Sequence, residues 1–408
     1  MPELPHIARL TLILAGLSLA GRAGAAPLSV DDFTFDGPLG CDGAAIEQVG
    51  ENHFQIVPGH APEQPGWANM VQFTILRNAK GNALRLDVVD EAATSYMFND
   101  YFYSWSCDGE SWNPVHWEVG RKEKVKRDTL VFPVFTEDTV YVGHQVPISY
   151  EELVTMVEKW GKRPHVTNHV IGQSLDKRNI YRLTVTDPDS PHAENARWVH
   201  YFGNQHPGEH NAQWRMAGIM DWLLSEPGAD CRRRSICHFV FMTSPDAPSR
   251  GWYRVNGQGV DMNRSYRIEG ADPESQAHEA CVVQRDLETI MASAAPVTDL
   301  WSMHTWGGVV EPILLPGPEM TDDRPWTLLR GIMDRNDPED LVLPLAAKES
   351  TDKDDMTQWT NGPHKQFGIS TVLCEGAGNI YTKEENMASG VVIMKSLAEY
   401  YGGTKEAP

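Results

Sequence analysis

Between Pro27 and about Gln145 the apolar residues recur in short alternating runs, among them Phe54-Gln55-Ile56-Val57, Val71-Gln72-Phe73-Thr74-Ile75 and Leu84-Arg85-Leu86-Asp87-Val88. Alternation turns one face of an extended chain to a core and the other to water. Pro58-Gly59 and Lys80-Gly81-Asn82 separate the runs and no helical period intervenes, so this stretch is expected to form an all-β antiparallel sandwich. The pattern changes at Ser149-Tyr150-Glu151-Glu152, a capping box opening an amphipathic helix that carries Leu153, Val157 and Trp160. Beyond it, strands expected at Ile180 to Val185, Trp198 to Phe202, Phe239 to Met242, Thr298 to Met303 and Thr371 to Cys374 alternate with helical stretches at Glu209 to Leu224, Ser275 to Ala294 and Glu385 to Tyr400. That order predicts an α/β domain, an open sheet with helices on both faces and functional loops at the carboxyl ends of its strands. The expected division is residues 26–145 for the sandwich and 146–408 for the α/β domain.

Composition narrows the choice of partners. Among 408 residues, 35 Lys plus Arg face 56 Asp plus Glu, a net charge of -21, which repels nucleic acid and anionic membranes. Residues 1–25 place Arg9 before an apolar run from Leu10 to Ala20 and end in Ala23-Gly24-Ala25, the form of a secretory signal too short to span a bilayer. A periplasmic or secreted protein with no integral membrane segment after cleavage is expected. Export would let disulfides persist among the six cysteines, with Cys41–Cys107 and Cys231–Cys237 the expected pairs.

The chemistry gathers where strands end. In His206-Pro207-Gly208-Glu209 an imidazole and a carboxylate three residues apart stand at a strand-to-helix junction and can converge on one cation. The spacing alone is weak, since His60-Ala61-Pro62-Glu63 repeats it in a Pro-rich loop. Other polar residues close further predicted strands: Arg254, Asp261, Asn263 and Arg264 in one loop, His304 after Asp299 to Met303, and Glu375 after Thr371 to Cys374. Two His and one Glu make a three-ligand zinc site with a position open to water, the catalytic arrangement.

With these residues in order the chain resembles the zinc carboxypeptidases, and among them the cytosolic-carboxypeptidase-like subgroup, which carries the His-Pro-Gly-Glu signature and a β-sandwich before a mixed α/β peptidase domain. The resemblance implies one zinc ion on His206, Glu209 and His304, with Glu375 as general base. It implies that Arg254 polarises the scissile carbonyl, that Asn263 and Arg264 hold the substrate's terminal carboxylate, and that Asp261 orients a ligand histidine. Peptide or protein C-termini are then the expected substrate. Gly208 departs from the digestive members, which have Arg there. Three alternatives share the same residues: a zinc amidohydrolase acting on N-acyl amino acids, a peptidase of cell-wall stem peptides, and a peptide-binding module without catalysis. The acidic loop Glu349 to Asp355, with Lys353 or Arg335, is a further candidate for side-chain selection.

Overall fold

The computed structural model describes residues 25–89, 102–115, 129–305, 314–316, 324–342, 354–376 and 382–403. The signal segment, except for Ala25, lies outside them. So do the basic run 121–127, Tyr101, Trp117 and residues 349–353 of the acidic loop.

The first strands are β1 (Phe33–Thr34), β2 (Ala45–Gly50), β3 (His53–Val57), β4 (His60–Ala61), β5 (Gln64–Ala68), β6 (Phe73–Ile75), β7 (Leu84–Val88), β8 (Tyr103–Ser106), β9 (Asn113–Pro114), β10 (Thr129–Phe132) and β11 (Val140–His144). Nine of them form a five-stranded sheet, β1-β6-β11-β8-β9, and a four-stranded sheet, β10-β7-β3-β2, while β4 and β5 pair only with each other. The alternation works as expected: in β7 Leu84, Leu86 and Val88 are buried while Arg85 is exposed. Phe54, Leu86 and Phe132 of one sheet meet Phe73, Tyr103 and Val142 of the other in a shared core. One pairing departs from the all-antiparallel expectation, because β3 and β7 run parallel. They are joined through the β4–β5 hairpin and β6, so the chain crosses to the other sheet before it returns.

Ser149 caps the next helix, α1 (Tyr150–Gly161), its hydroxyl accepting the Glu152 N–H at 3.0 Å. The remaining elements are β12 (Val166–Gln173), β13 (Asn179–Val185), β14 (Trp198–Gly203), α2 (His210–Leu223), α3 (Ala229–Arg234), β15 (Ser235–Val240), α4 (His278–Met291), β16 (Asp299–Met303), β17 (Leu314–Pro316), α5 (Arg324–Asn336), α6 (Asn361–Phe367), β18 (Ser370–Cys374) and α7 (Lys383–Gly403). The seven-stranded mixed sheet has the order β12-β13-β15-β14-β16-β18-β17. Its centre, β15-β14-β16-β18, is parallel, and β14 and β16 read as near-continuous apolar runs because both faces are covered. Trp160 of α1, Met216 and Ile219 of α2, Met333 of α5 and Ile393 of α7 pack on one face. Ala280, Val283 and Leu287 of α4 pack on the other.

One smaller expectation is corrected. All six cysteines are free thiols. Cys231 and Cys237 lie on either side of the Ser235 hydroxyl, at 3.5 and 3.6 Å, instead of joining each other. Arg232-Arg233-Arg234 closes α3. Arg232 is buried and donates to the Leu223 and Ser225 carbonyls, while Arg233 and Arg234 pair with Asp230.

Candidate metal centre

Three neighbouring parallel strands, β14, β16 and β18, end together, with Gly203 beside Ser302 and Met303 beside Cys374. Because the strands are in register, the residues just past their ends meet: His206 and Glu209 after β14, His304 after β16 and Glu375 after β18. The Nδ1 atoms of His206 and His304 are 3.0 Å apart, and each lies 2.8 Å from one carboxylate oxygen of Glu209. All three residues are at most 2% exposed, and their ligand atoms fall within 4.8 Å of one another. Two imidazole lone pairs cannot face each other at that distance unbridged; a proton or a shared cation must lie between them.

The outer nitrogens are already engaged. His206 Nε2 lies 3.0 Å from Asp261 Oδ1, and His304 Nε2 lies 2.9 Å from the Ser302 hydroxyl, which donates to Gln205 Oε1 at 2.7 Å. Such partners fix the tautomer and ring orientation of a metal-binding histidine. Glu209 is held as well: the Thr305 N–H donates to Oε2 at 3.0 Å and the Tyr253 hydroxyl to Oε1 at 3.2 Å. Donor type, convergence and oriented outer nitrogens together fit a zinc ion on His206, Glu209 and His304.

Arg254 and Asp261 stand on the two arms of a hairpin after β15, bridged at Val255 and Asp261. Arg254 donates through Nε and Nη2 to Asp261 Oδ2, at 3.0 and 2.8 Å. Burial alone raises the Asp261 carboxyl, but His206 and Arg254 outweigh it and hold it well below the usual carboxylate range. For Glu209, burial is likewise outweighed, by the two imidazoles, and its pKa is lowered. Glu375 moves the other way: burial first and the Glu209 carboxylate second push it up to about 7. Burial drives His304 down to about 4, the direction that suits a neutral ligand.

Asn263 and Arg264 follow Asp261 in a single 3-10 turn, Met262–Arg264. The Asn263 N–H donates to Asp261 Oδ1 at 2.9 Å, and its side-chain oxygen accepts the Trp359 N–H at 2.9 Å. The Arg264 guanidinium meets a carboxylate of the chain itself, Nε lying 3.0 Å from Asp355 Oδ2. Arg335 is not part of this region, since it pairs with Glu399 between α5 and α7. His60 and Glu63 belong to the β4–β5 hairpin and join no metal-binding cluster among the described residues.

Sequence reasoning missed Tyr253, Gln205, Ser302 and Thr305. Each sits within two residues of one it singled out, but none has a spacing of its own to mark it. It also missed Arg215, fully buried on α2, whose Nη1 donates to the His304 carbonyl at 3.1 Å and whose Nε donates to the Ser389 hydroxyl at 3.1 Å.

Residues 153–289 match the zinc carboxypeptidase family, a span that contains His206, Glu209, Arg254, Asp261, Asn263 and Arg264. Over that span, about a third of its length, the chain is similar to the zinc carboxypeptidases. Cytosolic carboxypeptidase 2 of Danio rerio is 35% identical over 147 residues, 34% of this chain and 20% of that protein. An uncharacterized protein of Zymomonas mobilis is 26% identical over 195 residues, 46% of this chain and 48% of that one. The chain therefore spans about a fifth of the length of the cytosolic carboxypeptidase. Among solved structures, a metallo-carboxypeptidase of Burkholderia cenocepacia superimposes with a TM-score of 0.72 at 18% identity, covering 91% of this chain and 98% of that one. A metallo-carboxypeptidase of Pseudomonas aeruginosa, in complex with (2-guanidinoethylmercapto)succinic acid, gives 0.70 at 18% identity, covering 88% and 96%. At such identities the likeness is one of fold, and it takes in the leading β-region as well as the α/β domain.

Proposed function

We propose that the protein is a zinc carboxypeptidase that removes C-terminal residues from peptides. The observation that carries this reading is the meeting of His206 Nδ1, His304 Nδ1 and both Glu209 oxygens beside the Arg254–Asp261 pair. A zinc ion held by those three residues supplies Lewis acidity, polarising a carbonyl and lowering the pKa of water from 15.7 to about 7. Glu375 takes the proton of the attacking water on its carboxylate and delivers it to the leaving amine. Arg254, steadied by Asp261, presents positive charge to the oxygen on which negative charge develops. Asn263 and Arg264 dock the terminal carboxylate, and a guanidinium suits that group because it can bind it in two parallel hydrogen bonds. Asp355 holds Nε of Arg264 and so fixes the plane of that fork. The amino-terminal signal pattern supports action in the periplasm or outside the cell.

The test is release of a terminal amino acid from a blocked dipeptide library, with and without chelator, beside a panel of N-acyl amino acids. Chelator-sensitive release that requires a free carboxyl is the expected result. Cleavage of acyl groups alone would move the protein to the amidohydrolases. Arg264→Ala should impair free-acid peptides far more than amidated ones, and equal losses would remove its docking role.

A further inference from the structure

The β4–β5 hairpin belongs to neither sandwich sheet; its Ala68 joins the sandwich core, while Ala61 and Trp67 pack on the loop that brings Arg254 and Asp261 to the metal ligands. Ala61 and Trp67 of the hairpin pack with Ala247, Trp252 and Val255 in a small apolar cluster separate from the main cores. Gln64 Nε2 donates to the Gly259 carbonyl at 2.9 Å, two residues before Asp261. Gly259 adopts φ +71°, and a methyl there would overlap the Pro62 carbonyl, so only glycine lets the two turns touch.

The start of the same loop is tied to the sandwich through main-chain bonds. Gly40 N–H donates to the Pro248 carbonyl at 3.1 Å, Asp42 N–H to Arg250 at 3.0 Å and Met70 N–H to Gly251 at 2.7 Å. The buried Gln72 adds a bond to the Pro248 carbonyl at 3.2 Å. On the far side the Arg254–Asp261 hairpin is fixed by the α/β domain, where Asn256 Nδ2 donates to the buried Glu279 at 2.6 Å. It is thus gripped from both sides, and the sandwich supplies one of the jaws.

We propose that the amino-terminal region is a working part of the metal centre: the β4–β5 hairpin, through Gln64 and Trp67, holds the Arg254–Asp261 hairpin in register with His206. Gln64 and Trp67 are positioning residues, acting on His206 through Asp261 and on the reacting carbonyl through Arg254. The second of these effects rests on the carboxypeptidase reading; the first does not.

The experiment is a double-mutant cycle on the full chain, Gln64→Glu with Asp261→Asn, read as zinc affinity by competition with a chromophoric chelator and as kcat and KM on a blocked dipeptide. Outer partners of metal ligands typically contribute about 10- to 100-fold in affinity or activity. Gln64→Glu, nearly isosteric but without the donor, is expected to lower zinc affinity about three- to tenfold and to lower kcat with KM little changed. In the Asp261→Asn background it should add nothing to the loss of affinity. The same loss in both backgrounds, or none from Gln64→Glu, would overturn the proposal. Trp67→Ala withdraws the apolar half of the contact and is read in the same cycle should Gln64→Glu not fold. If no peptide is cleaved while zinc affinity shows the coupling, the positioning role stands and the carboxypeptidase reading alone fails.

Discussion

Glu375 and Asp261 are both partly buried carboxylates within one site, yet their surroundings drive their pKa values in opposite directions, which suits the separate work proposed for them. Asp261, facing a guanidinium and an imidazole, stays ionised and holds His206 in place. Glu375, partly withdrawn from water and near the Glu209 carboxylate, accepts a proton more readily. Replacing Glu375 by Gln should leave zinc bound and lower kcat by about 10²- to 10⁴-fold, the usual range for a general base; metal analysis alongside steady-state kinetics checks both halves. Asp261→Asn should weaken zinc binding about 10- to 100-fold. The pH profile follows from the same balance. A base must be ionised, so kcat/KM should rise with pH through the pKa of Glu375. Burial and Glu209 push that value up to about 7, whereas His206, Arg254, Arg215 and a bound dication pull it down. An acid limb between the ordinary 4.5 and about 7 is expected, and an unchanged limb in the Gln variant would show that another group is titrating.

At the scale of elements, the parallel strands β14, β16 and β18 were legible because buried strands of a covered sheet are continuous apolar runs bounded by turn formers. The ligands were legible for the same reason, each standing where such a run stops. β12 was not, since it is an edge strand with Thr167, Asn168, Val170 and Gln173 exposed, and it offers neither a run nor a clean alternation. The parallel pairing of β3 with β7 was equally hidden, because sequence order favours neighbours in a hairpin and here the chain makes an excursion between them. Arg215 shows what pattern reading cannot reach. An arginine on a helix reads as a solvated residue, but α2 is buried from His210 through Met220 and the Arg215 guanidinium secures the backbone of His304. Arg215→Ala should destabilise the protein by about 2 to 5 kcal/mol, combining a cavity with unpaired buried acceptors. The check is a lower urea midpoint at unchanged slope.

For the whole molecule, the candidate metal centre joins three strand ends, one helix and a loop in contact with the amino-terminal region, so a metal bound there would be coupled to folding. A ligand present at 100 times its Kd stabilises the native state by about 2.7 kcal/mol, and stripping zinc with a chelator should lower the melting temperature accordingly. Glu209→Gln should abolish that difference, with or without peptidase turnover. Among the described residues no helix is long and apolar enough to cross a membrane. The signature glycine has a reason at this scale too. A side chain at Gly208 would run into the Tyr253 ring and the Met70 thioether, the latter contributed by the β-region in front of the α/β domain. Grafting onto this scaffold the arginine expected there in the digestive members is therefore no single exchange: the Tyr253 ring, its backbone and the Met70 thioether would all have to give way, so the change reaches from the α/β domain into the β-region.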